Sequence, residues 1–275
     1  MKKRLIILGL TLLALGVNSR ALAQFSPEEI AERPKWEEFL ATAEIIGQEQ
    51  LSGPGAVTNP WELTLKQGDI TRNALWKNIS GRPKGYIDSW KYEIAAYRMD
   101  KLIGLNMVPP TIEKKFHEDR GSCQLWIDAW MTLRRIKEQK IKTPSIKIFY
   151  WNRALYLQRA FDNLIGNEDR HQANYLLMQD WRLILIDHSR SFRTSKKFTK
   201  ELIYSEKHPE GPMLMSELPR ALVEKIKTLT FESIKNAVGE YLIDEEINAV
   251  LTRRDLILQE IDRLIKKNGE ENVLY

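Results

Sequence analysis

The spacing of apolar and polar positions predicts short strands in the first half of the chain and helices in the second. Residues 27–46 carry Ile30, Trp36, Phe39, Leu40 and Ala43 at roughly helical intervals, the pattern of an amphipathic helix. Residues 47–60 (G-Q-E-Q-L-S-G-P-G-A-V-T-N-P) have the composition of a loop or tight turn. Alternation at Trp61-Glu62-Leu63-Thr64-Leu65 predicts a strand, K-Q-G-D at 66–69 a turn, and R-N-A-L-W-K-N-I at 72–79 a second strand. A Gly- and Pro-punctuated loop at 80–86 precedes a helix over 89–102, with Trp90, Ile94, Tyr97 and Leu102 on its buried stripe. Residues 108–112 read as extended and G-S-C-Q-L-W at 121–126 as a strand.

From residue 131 the period turns helical: a charged segment at 131–140, then a more apolar helix at 151–165. Residues 194–212 read as an irregular polar loop. Helices at 218–229, 231–238 and 244–267 follow, the last with Ile247, Leu251, Ile257, Ile261 and Leu264 on one face. No internal repeat or Gly/Ser linker interrupts this order.

One stretch breaks the packing pattern. Residues 161–192 read F-D-N-L-I-G-N-E-D-R-H-Q-A-N-Y-L-L-M-Q-D-W-R-L-I-L-I-D-H-S-R-S-F. The apolar runs 175–178 and 183–186 flank a polar two-residue turn, Gln179-Asp180, and so predict a β-hairpin. Such a hairpin sets Asn174 at the start of one strand beside Asp187 at the end of the other, with Asp169, Arg170 and His171 just upstream. Metal- and proton-handling side chains gathered at one hairpin mouth are a chemical arrangement.

Composition narrows the picture only modestly. Of 275 residues, 43% are hydrophobic and 29% charged, ordinary for a globular chain, and the net charge of +5 is too dispersed to suggest a nucleic-acid partner. Residues 1–23 have the form of a secretory signal. Met1-Lys2-Lys3-Arg4 is the basic start, 5–17 the apolar core, and Ala21-Leu22-Ala23 the small-residue cleavage site. Export to the periplasm or beyond is expected, with the mature chain starting at Gln24 and carrying no membrane span. The lone Cys123 excludes an internal disulfide and reads as a buried strand residue. His171 and His188 lack the tight ligand spacing of a zinc site. Trp76, Trp90, Trp126, Trp130, Trp151 and Trp181 read as core or interface residues.

The strings G-N-E-D-R-H-Q-A-N and I-D-H-S-R-S-F resemble those of the atypical protein-kinase-like group, which includes the secretory-pathway Golgi casein kinases, the HipA toxin kinases and the phosphatidylinositol kinases. The five-residue step from Asp169 to Asn174 is also that from base to metal ligand in the protein-kinase catalytic loop. The resemblance implies an α+β, bilobal kinase-like fold: a small β-rich N-lobe at 47–130, after a helical extension at 24–46, and a mostly helical C-lobe at 131–275. It implies ATP and Mg²⁺ or Mn²⁺ as cofactors, Asp169 as the catalytic carboxylate, and Asn174 and Asp187 as metal ligands. Lys77, in A-L-W-K, and Glu93, on the following helix, would be the phosphate-binding lysine and its partner. Ser52, Gly53 and Gly55 would form the phosphate-covering turn, and Gln124 and Ile127 would lie against the adenine. The phosphate turn lacks G-x-G-x-x-G, and no A-P-E segment follows Asp187.

The expected activity is transfer of the γ-phosphoryl of ATP to a hydroxyl acceptor, which could be protein, sugar, lipid or small molecule. The alternatives are a pseudokinase that binds nucleotide or protein without catalysis, and a kinase-fold enzyme that transfers AMP or glutamate.

Overall fold

The computed structural model describes residues 25–52, 59–82, 87–205 and 216–275. The fold is mixed α+β. Helices α1 (Pro27–Ala31) and α2 (Arg33–Thr42) lead into β1 (Glu44–Gln50), β2 (Trp61–Gln67), β3 (Ile70–Lys77), β4 (Ser80–Gly81) and β5 (Asp88–Ser89). Helix α3 (Trp90–Ile103) is followed by β6 (Thr111–Phe116) and β7 (Asp119–Leu125), then β8 (Met131–Thr132), α4 (Leu133–Glu138) and α5 (Ile148–Ile165). Strands β9 (Tyr175–Leu177) and β10 (Leu183–Leu185) precede α6 (Lys196–Lys200), α7 (Arg220–Lys227), α8 (Phe231–Val238) and α9 (Asp244–Asn268).

The principal sheet has five strands in the order β1-β2-β3-β7-β6, every neighbouring pair antiparallel. Its inner positions, Leu63, Leu65, Trp76 and Cys123, bury against Phe39 and Leu40 of α2. The larger apolar cluster joins α3, α5, α7, α8 and α9 with β9 and β10. Helix α3 forms because its apolar positions fall on one face, Ser89 caps its start through the Lys91 N–H, and Gly104 at φ 69° ends it in the left-handed conformation.

Three sequence expectations are corrected. The helix expected over 27–46 splits at Glu32, and its tail together with Gly47–Gln50 is strand β1, not loop. The Gly- and Gln-rich run has no strand signature of its own. It is extended because β2 satisfies its backbone from Glu44 to Gln50, with a bulge between Ile45 and Gly47. The β6–β7 hairpin turns at His117-Glu118, whose φ values of 47° and 67° give the twist normally supplied by Asn-Gly. The β9–β10 turn takes three residues, not two. Trp181 adopts φ 72°, its N–H bonds to the Met178 carbonyl, and Met178 N–H pairs with Arg182. Beyond β7, Trp126 is 38% exposed and so does not join the core. Strand β8 adds a third member to the hairpin, giving the order β10-β9-β8. Among the described residues, no helix is long and apolar enough to cross a membrane.

Candidate active site

Lys77 ends β3 with its side chain buried between the sheet and α3. Its Nζ donates to Glu93 Oε1 at 2.6 Å and to Asp187 Oδ1 at 2.9 Å. Burial disfavours the ammonium, yet the Asp187 and Glu93 carboxylates together raise the lysine pKa above its usual value. Glu93 sits in the first turn of α3, where the helix dipole favours an anion. Burial works against its charge as well, but the Lys77 ammonium holds it well below the ordinary carboxylate range. Glu93 Oε2 accepts the backbone N–H of His188 at 2.9 Å. His188 Nδ1 stands 3.7 Å from Glu93 Oε2, its ring nitrogens have no hydrogen-bond partner, and burial pushes the imidazole pKa down.

The opposite wall is the loop between α5 and β9. Gly166 ends α5 at φ 65°, and a Cβ there would stand 2.9 Å from the guanidinium carbon of Arg253. Behind the loop, Arg170 is sealed from solvent and grips Asp162 through two hydrogen bonds of 2.9 and 3.0 Å. The same guanidinium donates Nη1 to the Asn174 and Ile186 carbonyls at 3.0 and 2.6 Å. It therefore fixes the residues next to both ends of the hairpin at once. Asn167 passes the Asp162 anchor forward by accepting the Asp169 N–H at 3.1 Å. Asn174 Nδ2 donates to the Asp169 carbonyl at 3.1 Å, which leaves its amide oxygen, an acceptor, as the atom of that side chain that could ligate a cation.

Asp187 follows β10 at φ 61°, a conformation an aspartate tolerates better than most residues, and its side chain is 35% exposed. Asp169 accepts an ion pair from Arg190 Nη1 at 3.1 Å. Burial raises the Asp169 carboxyl above its usual value. Arg190 and His171 pull it back, and the charges of Asp187 and Asp88 add to the rise.

The structure thus brings together Lys77, Glu93 and Asp187, and separately Asp169 and Asn174, with Asp187 electrostatically coupled to Asp169. Gln124 lies buried on β7 with its amide on Thr111 Oγ1 at 2.9 Å, and Ile127 is half-buried two residues past that strand. Among the described residues, no hydrogen bond or ion pair joins either of them to the cluster. Ser52 is exposed near the start of the β1–β2 connection, whose base is closed by the Leu51 N–H on the Pro60 carbonyl. Gly53 and Gly55 lie outside the described residues.

Sequence reasoning missed a chain of contacts that fixes the segment after Asp187. Ser189 Oγ donates to buried Asp88 Oδ1 at 2.6 Å, Arg190 Nε donates to Asp88 Oδ2 at 3.0 Å, and Ser89 N–H bonds to the Ser189 carbonyl at 2.9 Å. Asp88 and Arg190 are 102 positions apart, so no local pattern could have paired them.

Hard oxygen atoms from Asp187 and Asn174 suit Mg²⁺ or Mn²⁺ rather than a thiophilic metal. No group of three His, Cys, Asp or Glu placed to hold a metal occurs among the described residues. No protein-family model matches the chain, and no curated protein does.

Proposed function

We propose that the chain is a kinase-like phosphotransferase that moves the γ-phosphoryl of ATP to a hydroxyl acceptor with Mg²⁺ or Mn²⁺. The observation that carries this reading is the convergence of Lys77, Glu93 and Asp187. The lysine bonds to partners 16 and 110 positions away, on α3 and just past β10. A five-stranded antiparallel sheet ahead of a largely helical remainder is compatible with the bilobal kinase-like arrangement, which belongs to the same proposal.

In this reading Lys77, oriented by Glu93, exchanges its Asp187 contact for nucleotide phosphate oxygens. Asn174 and Asp187 supply oxygen ligands for the metal. Bound there, Mg²⁺ or Mn²⁺ would neutralise charge on the phosphates. Asp169 orients the acceptor hydroxyl and takes its proton as the oxygen bonds to the γ-phosphorus and ADP departs. Its raised pKa suits a group that accepts a proton. Export to the periplasm or beyond remains part of the proposal, on the signal-like residues 1–23, which lie outside the described residues.

A second reading, a pseudokinase, is favoured by one observation. Arg190 already occupies the Asp169 carboxylate and Lys77 that of Asp187, so the site is self-satisfied without ligand. Thermal-shift titration of the mature chain with ATP and Mg²⁺ or Mn²⁺, beside Asp187→Ala, tests both. Stabilisation that is lost in the variant is expected, and no stabilisation with any pair would sink both the phosphotransferase and a nucleotide-binding pseudokinase. ADP release should fall roughly 10²- to 10⁴-fold in Asp169→Ala while nucleotide binding persists. Binding without ADP release in the unaltered chain would favour the pseudokinase.

A further inference from the structure

Two features of residues 134–150 serve neither the apolar core nor the Lys77–Asp187 cluster. The first is charge. Residues 134–147 (R-R-I-K-E-Q-K-I-K-T-P-S-I-K) carry six Lys and Arg against one Glu, a net +5 that equals the charge of the whole chain. The rest of the protein is therefore neutral overall, and its positive excess sits in this one segment. Among the described residues, none of Arg134, Arg135, Lys137, Lys140, Lys142 and Lys147 forms an ion pair, and all but half-buried Lys147 are exposed.

The second is apolar exposure. Of nine large apolar side chains exposed among the described residues, four fall within residues 146–150: Ile146, Ile148, Phe149 and Tyr150. The last three open α5. No residue of that helix before Ala154 is fully buried, so its first six residues, a rise of about 9 Å, project beyond the fully packed core. This tip is held in shape. Phe149 and Tyr150 meet edge to face at 5.7 Å, and the Arg153 guanidinium lies 4.1 Å over the Phe149 ring while pairing with Glu217. Charge and tip also share one face. Arg134 and Lys137 of α4 line a cavity with Ile141, Thr143 and Trp151, so α4, the connection and the first turn of α5 lie side by side.

Unpaired cations around exposed aliphatic and aromatic side chains suit a surface that is anionic outside and apolar just beneath. An acidic bilayer has that order. Its phosphates attract Lys and Arg, and an apolar helical face enters about 5–10 Å into the headgroup boundary, a depth the tip can reach. Nucleic acid would use the cations and leave Ile146 and Ile148 in water. We infer that this face docks reversibly on an anionic phospholipid bilayer, with the α5 tip in the headgroup layer and the cations around it on lipid phosphates. The inference is independent of the phosphotransferase reading and needs no nucleotide. A secretory signal at residues 1–23 would put such a membrane in the protein's path.

The test is co-sedimentation of the mature chain with vesicles of phosphatidylcholine alone and of phosphatidylcholine with phosphatidylglycerol in equal parts. The acidic vesicles should bind it at least tenfold more strongly. Raising NaCl from about 50 mM to about 500 mM should remove most of that gain. The triple variant Arg135→Gln, Lys140→Gln, Lys142→Gln removes three exposed cations and should weaken binding to the acidic vesicles about 10²-fold. Ile146→Ser, Tyr150→Ser keeps every charge and should weaken it about tenfold. Both variants should keep the urea midpoint of the unaltered chain, which separates lost docking from lost folding. No preference of the unaltered chain for acidic vesicles, or full binding by either variant, would overturn the inference. So would a chain that ignores vesicles and instead binds a DNA duplex, or one that ignores them and forms a dimer lost in Ile146→Ser, Tyr150→Ser.

Discussion

Two ion-paired groups lie at the candidate site, one behind the Asp169 loop and one at Asp187, and they differ in access. Behind the loop, the Arg170–Asp162 pair is closed on every side, with side-chain exposures of 1% and 0%. In front, Lys77 is nearly as buried, but Asp187, one of its two carboxylate partners, keeps 35% of its side chain exposed. Similar chemistry serves two ends. A sealed pair can only set positions, because no ligand can reach it. A pair with one open carboxylate can trade that contact for a ligand while Glu93 keeps the lysine in place.

The sharpest way to break this comparison is Arg170→Met. It strands a buried carboxylate and releases both hairpin ends, and should cost about 3 kcal/mol or more, measured by urea denaturation. A loss below about 1 kcal/mol would mean that Asn167 and Gln158, which also donate to Asp162, hold the loop alone.

Lys77→Met should cost less, about 1–3 kcal/mol, because Asp187 can turn to water and only Glu93 is left buried. The same variant carries a pH signature. The folded pKa of Glu93 is depressed, so its contribution is complete above its ordinary value of 4.5 and is lost as pH falls below it. Without Lys77 the depression shrinks, so the drop in urea midpoint between about pH 6 and about pH 3 should shrink as well. An unchanged acid limb would show that the Lys77–Glu93 pair is not what ties stability to pH.

The smallest effect on folding belongs to Arg190→Gln, about 1 kcal/mol, because Ser189 still donates to buried Asp88 and the Asp169 partner is partly exposed. Its value lies in the rate profile. Arg190 is the main cation lowering the Asp169 pKa, so removing it should move the acid limb of ADP formation to higher pH. A limb that stays in place would separate Asp169 from the titrating step.

How much of this was legible in the sequence depends on how far the partners lie apart. The hairpin was readable because two apolar runs and a turn sit within a dozen residues, whereas Lys77 and Glu93 were singled out by the resemblance and by no local pattern. Strand β1 was not readable, since Gly47-Gln48-Glu49-Gln50 become a strand only through pairing with β2. Nor was the Asp88–Ser189–Arg190 chain, whose members are ordinary polar residues until the fold joins them. The three-residue turn escaped because Trp181 is not a residue that advertises positive φ.

Cys123, buried on β7 opposite Trp76 and one register position from Lys77, gives the chain a built-in reporter. Burial pushes its thiol up to about 12, so a thiol reagent at neutral pH can label it only when the sheet opens. As the chain has one cysteine, the labelling rate times the opening of this sheet with no engineered tag. A nucleotide that engages Lys77 should slow that clock, whichever acceptor the protein uses.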